Sequence, residues 1–131
     1  MVEVRDLIGI PFISHGRSKA GFDCWGLAIE VLRRGGKKLP DVVSYTGTGY
    51  GENRRTAPEI IAAFEEGCKH RDIDEPKELC LIKFAMDGKN VTHVGVYLGH
   101  GDFIHCIEEF GVCVQRLDKC KGLVKGYYEV L

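Results

Sequence analysis

The sequence predicts an α+β fold, with N-terminal helices packed on a five-stranded antiparallel sheet. Apolar residues recur at helical spacing in the first half of the chain, and from residue 79 onward they alternate with a period of two. The turns between the alternating segments are short, which favours antiparallel neighbours because parallel strands need long crossovers. Helices followed by an antiparallel sheet are typical of the α+β class.

Residues 8–22 are predicted to form a loop, because glycine, proline and serine interrupt every apolar period there. A helix then begins after Asp23, whose carboxylate suits an N-cap, and ends at Gly35-Gly36. Its apolar stripe consists of Trp25, Leu27, Ala28, Val31 and Leu32.

After a loop over residues 37–55, a second helix is predicted to begin at Thr56 and to end at Gly67. Thr56 and Glu59 have the spacing of a capping box, and Pro58 lies in the first turn, where its missing N–H costs little. The five predicted strands are Leu79–Phe84, Thr92–Leu98, Asp102–Ile107, Val112–Leu117 and Lys125–Val130.

At 131 residues the chain is long enough for one domain, residues 1–131, with a core of its own. Its 18 basic and 19 acidic side chains nearly cancel, which argues against partners held mainly by charge, such as nucleic acid or an anionic membrane. The N-terminus lacks the features of a secretory signal, and no apolar run approaches the ~18 residues that span a bilayer. We therefore expect a chain made in the cytoplasm, with no export signal of its own.

The six cysteines are expected to be reduced thiols, because no signal peptide directs the chain to an oxidising compartment. No two of them form a C-x-x-C pair, which removes the usual basis for a zinc ribbon or a redox site. Cys24 differs from the others because it stands in the first turn of a predicted helix. Unpaired N–H groups and the helix dipole stabilise a thiolate there, so Cys24 is the candidate nucleophile.

Two histidines lie on adjacent predicted strands joined by a Gly-His-Gly loop at residues 99–101. A three-residue loop there pairs Gly95 with His105 and puts His93 diagonally opposite His105 on the same face, with room over Gly95 for both rings. We predict that His105 orients His93, and that His93 takes the thiol proton of Cys24 as the base of a covalent acyl transfer. The Cys24 backbone N–H is the expected oxyanion donor.

Three motifs, read together, carry a family resemblance. They are Phe22-Asp23-Cys24-x-Gly26-Leu27, the strand from His93 to Gly99, and Phe103-Ile104-His105. Their order and spacing resemble those of the NlpC-type cysteine peptidases, bacterial cell-wall endopeptidases with a papain-like fold. The resemblance implies a peptidoglycan stem peptide as the substrate, cut between D-γ-glutamate and the following diamino acid. It also implies that no metal or organic cofactor is needed, and that Asp23 helps to bind the free amine of the stem peptide.

The sequence departs from the family pattern at two positions near the expected substrate. Trp25 stands where many members have serine, and Phe12 falls about where many have tyrosine. With Asp23, these two residues are the predicted substrate contacts. Trp25 and the segment Gly9-Ile10-Pro11-Phe12 look more like the branch encoded in bacteriophage tail modules, which implies other phage tail proteins as partners and delivery to the wall by a tail.

Other functions remain open at this stage. A structural or assembly protein of a phage tail could keep the same scaffold without chemistry, although it would not need Cys24, His93 and His105 together. The same three residues could also serve a related amidase or acyltransferase. A metal site at the two histidines is disfavoured, because alternation turns the neighbouring Cys106 to the opposite face of the sheet.

Overall fold

A six-stranded antiparallel sheet with one helix docked on it organises the chain. The computed structural model describes residues 2–41, 64–86, 88 and 93–131. The elements are β1 Arg17–Ser18, β2 Gly21–Phe22, α1 Cys24–Arg34, β3 His70–Ile73, β4 Leu81–Phe84, β5 His93–Gly99, β6 Asp102–Ile107, β7 Gly111–Arg116 and β8 Val124–Val130. The large sheet has the strand order β3-β8-β4-β5-β6-β7, and each neighbouring pair in it is antiparallel.

Helix α1 forms as its sequence predicts. The Asp23 side chain caps it by accepting a hydrogen bond from the Gly26 N–H, and Gly35 follows its last residue. All members of the predicted apolar stripe are buried, and they face the sheet within the larger of two cores. The predicted second helix lies mostly outside the described residues. Residues 64–67, its predicted end, are helical.

The prediction of five strands was wrong, because the sheet has six. The five predicted strands are present, and the sixth is β3, which lies at the edge of the sheet against β8. Its sequence, His70-Arg71-Asp72-Ile73, is mostly polar and shows no apolar alternation. Such a segment becomes a strand because the free backbone groups of β8 offer it a ladder, which is a tertiary effect. The small β1–β2 ladder likewise interrupts the stretch predicted to be loop.

The two faces of the sheet carry separate cores. One face packs against α1 through Leu81, Val94, Val96 and Ile104, all of which are buried. The opposite face holds a smaller cluster formed by Ile82, Phe84, Phe103 and Leu117. The 3-10 turns Leu117–Lys119 and Lys121–Leu123 follow β7 and close over this smaller cluster. His93 and His105 belong to the second face, since their rings contact Phe84 and Phe103.

The turn between β5 and β6 reaches the predicted register by a different route. Gly99 pairs with Asp102, so the loop has only two residues, but a bulge between Tyr97 and Gly99 shifts the register by one. Beyond the bulge Val96 pairs with Ile104, the register that a three-residue loop was predicted to give. Gly99, His100 and Gly101 have φ values of 95°, 54° and 88°, which explains why two of the three are glycine.

The free edge of β7 is covered by the N-terminal segment. The Gly9 N–H donates to the Val112 carbonyl at 2.9 Å, and the Val112 N–H donates to the Ile10 carbonyl at 2.9 Å. These bonds bring the start of the chain beside β7 and satisfy backbone groups that an edge strand would otherwise expose.

Among the described residues no helix has the length and apolar character needed to cross a bilayer.

Gly95 lies where the second core closes over β5, and this position predicts a cost for adding a methyl group. A Cβ at Gly95 would lie 3.2 Å from ring atoms of Phe84 and of Phe103, both of which are buried. We expect Gly95→Ala to lower the free energy of unfolding by about 1–3 kcal/mol, because buried rings cannot move aside freely. Urea denaturation measures this, with Gly122→Ala as the control, since a Cβ there meets no atom within 4 Å. Equal stability of the two variants would contradict the close packing at Gly95.

Candidate active site

Cys24 is the first residue of α1, and its sulfur lies against the start of β5. The backbone N–H of Val94 and that of Trp25 both donate toward the sulfur. Because Val94 directly follows His93, this hydrogen bond places the thiol beside the backbone of the predicted base. Leu27 N–H is the first helix donor bonded to a main-chain carbonyl, that of Asp23. Within the described part of the chain the Cys24 N–H has no such acceptor, as expected at a helix start.

Asp23 and Arg17 form the charged support of this helix start. Asp23 Oδ1 accepts from the Gly26 N–H at 2.7 Å and from Arg17 Nη1 at 2.7 Å. Arg17 also binds Asp41 through two nitrogens, at 2.9 and 3.0 Å, and the Gly16 carbonyl at 2.8 Å. The guanidinium therefore ties the β1–β2 ladder and residue 41 to the N-cap of α1.

Glycine at position 26 is a consequence of this arrangement. A Cβ there would lie 2.1 Å from the Gly16 carbonyl oxygen and 2.9 Å from Arg17 Nη1. Glycine inside a helix costs about 1 kcal/mol relative to alanine, so its presence one turn into α1 needs a reason. The reason is the close approach of the loop that carries Arg17.

The two predicted histidines meet as the strand register requires. His93 Nε2 lies 2.8 Å from His105 Nδ1, and the ring centroids are 4.9 Å apart. Both residues are buried, with 7% and 4% of their surface exposed. The space over Gly95 is filled by the rings of Phe84 and Phe103, not by the imidazoles themselves. These phenyl rings pack in turn on His93 and His105 and hold them in an apolar setting.

A fourth polar residue extends the row of side chains. His105 Nε2 lies 2.5 Å from Gln115 Oε1, and Gln115 stands on β7, where His105 pairs with Cys113 and Phe103 pairs with Gln115. Gln115 is thus diagonal to His105 on the same face of the sheet, the same relation that joins His93 to His105. Sequence reasoning missed it, and it also missed Arg17 and Asp41. The available signal for Gln115 was its position two residues after Cys113 on a predicted strand, which puts the two side chains on the same face.

Burial favours the neutral forms of the thiol and of both imidazoles. It raises the pKa of the Cys24 thiol to about 11, with Asp23 adding to the rise and the Val94 N–H and Arg17 opposing it. Burial lowers the pKa of His93 to about 3, and His105 lowers it further. The pKa of His105 is also lowered by burial, against the opposing effect of Gln115. The thiol and both imidazoles are therefore neutral near pH 7, and burial outweighs the helix-start effect expected for the thiol pKa.

The three predicted substrate contacts lie in different settings. The Asp23 side chain is 9% exposed and already holds Arg17, so its binding of an amine stays a prediction. Trp25 is 1% exposed; its indole N–H donates to the Pro40 carbonyl at 2.9 Å and its ring packs edge-on against Phe64. Trp25 therefore offers no exposed surface to a substrate. Phe12 is half-buried and pairs with Phe22, the residue before Asp23.

The remaining cysteines lack the environment of Cys24. All six cysteines are free thiols. Cys106 donates to the Phe22 carbonyl at 3.2 Å from the α1 side of the sheet, opposite to the neighbouring His105, as alternation predicts. Burial raises the pKa of Cys106 to about 12 and that of Cys80 to about 11. His70 begins β3, and its ring packs on those of Phe64 and Tyr128.

The depressed histidine pKa values predict a loss of stability in mild acid. The unfolded chain binds a proton at His93 below pH 6.5, whereas the folded chain does not until about pH 3. Stability from this group is therefore present above pH 6.5 and falls as the pH drops, by roughly 2 kcal/mol between pH 6.5 and 5. His105 acts in the same direction.

Urea unfolding at pH 7 and pH 5 measures this effect. The interval lies above the ordinary pKa values of the carboxylates, which contribute only at lower pH. In the variant His93→Gln the difference between the two pH values should shrink, whatever the variant's absolute stability. An unfolding free energy that is the same at both pH values in the parent protein would show that His93 is not held neutral by the fold.

Comparison with known proteins places this site in a family. The NlpC/P60 family model matches residues 9–129. An NlpC/P60 family protein from Bacillus cereus is 27% identical with a TM-score of 0.63, over 92% of this chain and 35% of the other. A protein similar to lipoprotein of the NLP/P60 family from Staphylococcus aureus is 25% identical with a TM-score of 0.61, over 96% of this chain and 38% of the other.

The NlpC/p60 domain of the peptidoglycan hydrolase SagA shares the fold, with 21% identity and a TM-score of 0.60, over 95% of this chain and 90% of that domain. This chain spans only about a third of the Bacillus cereus protein, so it corresponds to one part of that larger protein. The family match covers nearly the whole sequence, including Cys24, His93 and His105. The chain belongs to the NlpC/P60 family.

Proposed function

We propose that this chain is a cysteine peptidase that cleaves peptidoglycan stem peptides between D-γ-glutamate and the following diamino acid. The observation that carries the proposal is a helix-start thiol at the backbone of the residue after His93, together with the hydrogen-bonded pair of imidazoles. Cys24 receives the Val94 N–H, and His93, the preceding residue, lies 2.8 Å from His105. Nucleophile, base and orienting residue are the minimum set for covalent acyl transfer.

The substrate class rests on the family and on one of its members. SagA, whose domain has the same fold, is a peptidoglycan hydrolase by name. The net charge of the chain is only −1, which supports a substrate that is not a polyanion. The bond itself comes from the family resemblance of the three motifs, which also implies that Asp23 helps to bind the free amine of a stem peptide.

In the first half of the reaction, His93 acts as a general base. It removes the thiol proton of Cys24 as the sulfur attacks the carbonyl carbon of the scissile amide. The C–S bond forms, the carbonyl π-electrons move to oxygen, and the resulting imidazolium keeps its hydrogen bond to His105. Because burial favours the neutral pair, proton transfer accompanies attack and does not precede it.

Collapse of the tetrahedral intermediate then releases the amine. The C–N bond breaks, His93 returns its proton to the departing nitrogen, and a thioester to Cys24 remains. Water, deprotonated by His93, attacks the thioester, and the C–S bond breaks to give the acid and the free thiol. The Cys24 N–H is the donor placed for the oxyanion in both steps, a role whose loss typically costs ~3 kcal/mol.

Removal of the sulfur tests the nucleophile. We expect Cys24→Ala to abolish cleavage of defined muropeptides, since no other group can form the thioester, while the far-ultraviolet circular dichroism spectrum stays that of the parent. Cys68→Ala is the matched control, because this thiol lies at the margin of the larger core, donates to the neighbouring Lys69 carbonyl and has no role in the proposed reaction. Mass spectrometry of the products gives the bond that is cut.

The products of this digestion, together with the alkylation rates of the thiols, separate the alternatives. Products cut between D-γ-glutamate and the diamino acid support the proposal, whereas products cut at another amide identify an amidase that uses the same three residues. Transfer of the acyl group to an added amine identifies an acyltransferase. Undigested muropeptides with selective alkylation of Cys24 over the other thiols point to a different acyl substrate, and uniform slow alkylation of all thiols points to a scaffold protein without chemistry.

We further propose an association with a bacteriophage tail, supported by Trp25 and the segment 9–12, which resemble the phage-encoded branch of the family. A tail would deliver the enzyme to the wall and bring it into contact with other tail proteins. Proteomic analysis of purified phage particles from the source strain should then detect peptides of this chain in stoichiometric amounts relative to tail proteins. Particles that lack these peptides while carrying the other tail proteins would refute the association.

A further inference from the structure

Cys24 packs on the α1 side of the sheet at the start of β5, and on the opposite face His93 on β5, His105 on β6 and Gln115 on β7 form one row across three adjacent strands. The contacts are 2.8 Å between His93 Nε2 and His105 Nδ1, and 2.5 Å between His105 Nε2 and Gln115 Oε1. The roles proposed for the first three residues leave Gln115 without one. Gln115 ends the row on β7, at a position where the residue is exposed.

The amide oxygen of Gln115 determines where the proton of His105 lies. A carbonyl oxygen only accepts, so His105 must donate from Nε2, and a neutral imidazole has no second N–H. His105 Nδ1 is then an acceptor, and the proton in the His93–His105 contact must come from His93 Nε2. His93 is left with a free lone pair at Nδ1. The Cys113 thiol lies 4.0 Å from the same Gln115 oxygen, a second donor directed at it.

The lone pair at Nδ1 is the one that the reaction needs. Nδ1 is the ring nitrogen closer to the backbone of His93, and the Cys24 sulfur is held at the backbone N–H of the next residue, Val94. In the opposite tautomer chain, His105 would donate from Nδ1 and His93 would carry its proton on Nδ1. That proton would face the thiol, and His93 could not act as a base.

We propose that Gln115 is a positioning residue that selects the tautomers of His105 and His93, and so keeps the basic nitrogen of His93 directed at Cys24. The inference rests on the proposed function for its consequence in catalysis, but the tautomers themselves can be observed without any substrate. Gln115 is exposed, so substitutions there should leave the fold intact.

Three substitutions at position 115 test whether Gln115 acts as a hydrogen-bond acceptor or only through packing. Gln115→Glu offers only acceptors and should retain alkylation of Cys24 by iodoacetamide within about threefold of the parent rate. Gln115→Met has a similar shape but no polar group, and we expect a loss of up to about tenfold, the scale of one hydrogen bond. Gln115→Lys offers only donors, imposes the opposite tautomers, and should lower the rate by about 100-fold or more.

Long-range 1H–15N spectra of the histidine rings give a readout that a packing role would not change. The parent and the Glu variant should show protonated Nε2 in both His93 and His105, and the Lys variant should show protonated Nδ1. Arg116→Met, at the next position on β7 in an exposed ion pair with Asp102, is the control and should leave both rate and spectrum unchanged.

Each result decides the inference. A parent spectrum with protonated Nδ1 in His105 overturns it, and so does a Glu variant as slow as the Lys variant, or a Lys variant that reacts at the parent rate. These measurements need no substrate, because they report only on the Cys24 thiol and the histidine rings. If the parent cleaves no muropeptide yet shows the expected spectra and the graded alkylation, the substrate assignment fails and the role of Gln115 stands.

Discussion

The site depends on one contact between helix and sheet, the hydrogen bond from the Val94 N–H to the Cys24 sulfur. It holds the first residue of α1 against the start of β5, one position from His93. The apolar stripe of α1 packs on Val94, Val96 and Ile104 and maintains this position, while the histidines work from the opposite face of the same strands. The thiol and the His93 imidazole therefore belong to opposite faces of the sheet, and both lie at the start of β5.

Electrostatics at this contact are governed by burial more than by charge. The phenyl rings of Phe84 and Phe103 enclose the imidazoles, and desolvation keeps thiol and imidazole neutral. Asp23 caps the helix next to the sulfur, and Arg17 offsets its negative charge through a 2.7 Å ion pair. Because the cysteine is a thiol and not a thiolate at rest, the proposed proton transfer depends more strongly on the orientation of His93. That makes the hydrogen-bonded row from His93 through His105 to Gln115 the second determinant of the site.

The strand pattern predicted correctly that His93 and His105 lie together, and the same pattern shows where prediction stopped. Alternation put His93 and His105 on one face, and the bulge at Tyr97 restored a register that a two-residue loop would have shifted. Gln115 obeys the same diagonal rule from the next strand, but amide side chains on exposed strands are common and gave no reason to single it out. Arg17 meets Asp23 from 6 positions away, and Asp41 meets Arg17 from 24 positions away, so no local periodicity predicts either contact.

The local sequence determined the elements that depend only on residues close together in the chain. These are the Asp23 cap and apolar stripe of α1, and the five strands with regular alternation. These follow from backbone hydrogen-bonding needs and from a period that each segment carries by itself. Tertiary structure alone decided the sixth strand, His70–Ile73, because its polar residues become a strand only beside the open edge of β8. It also decided the neutral state of Cys24 and His93, since desolvation depends on the atoms that surround a group, and those come from residues distant in the chain.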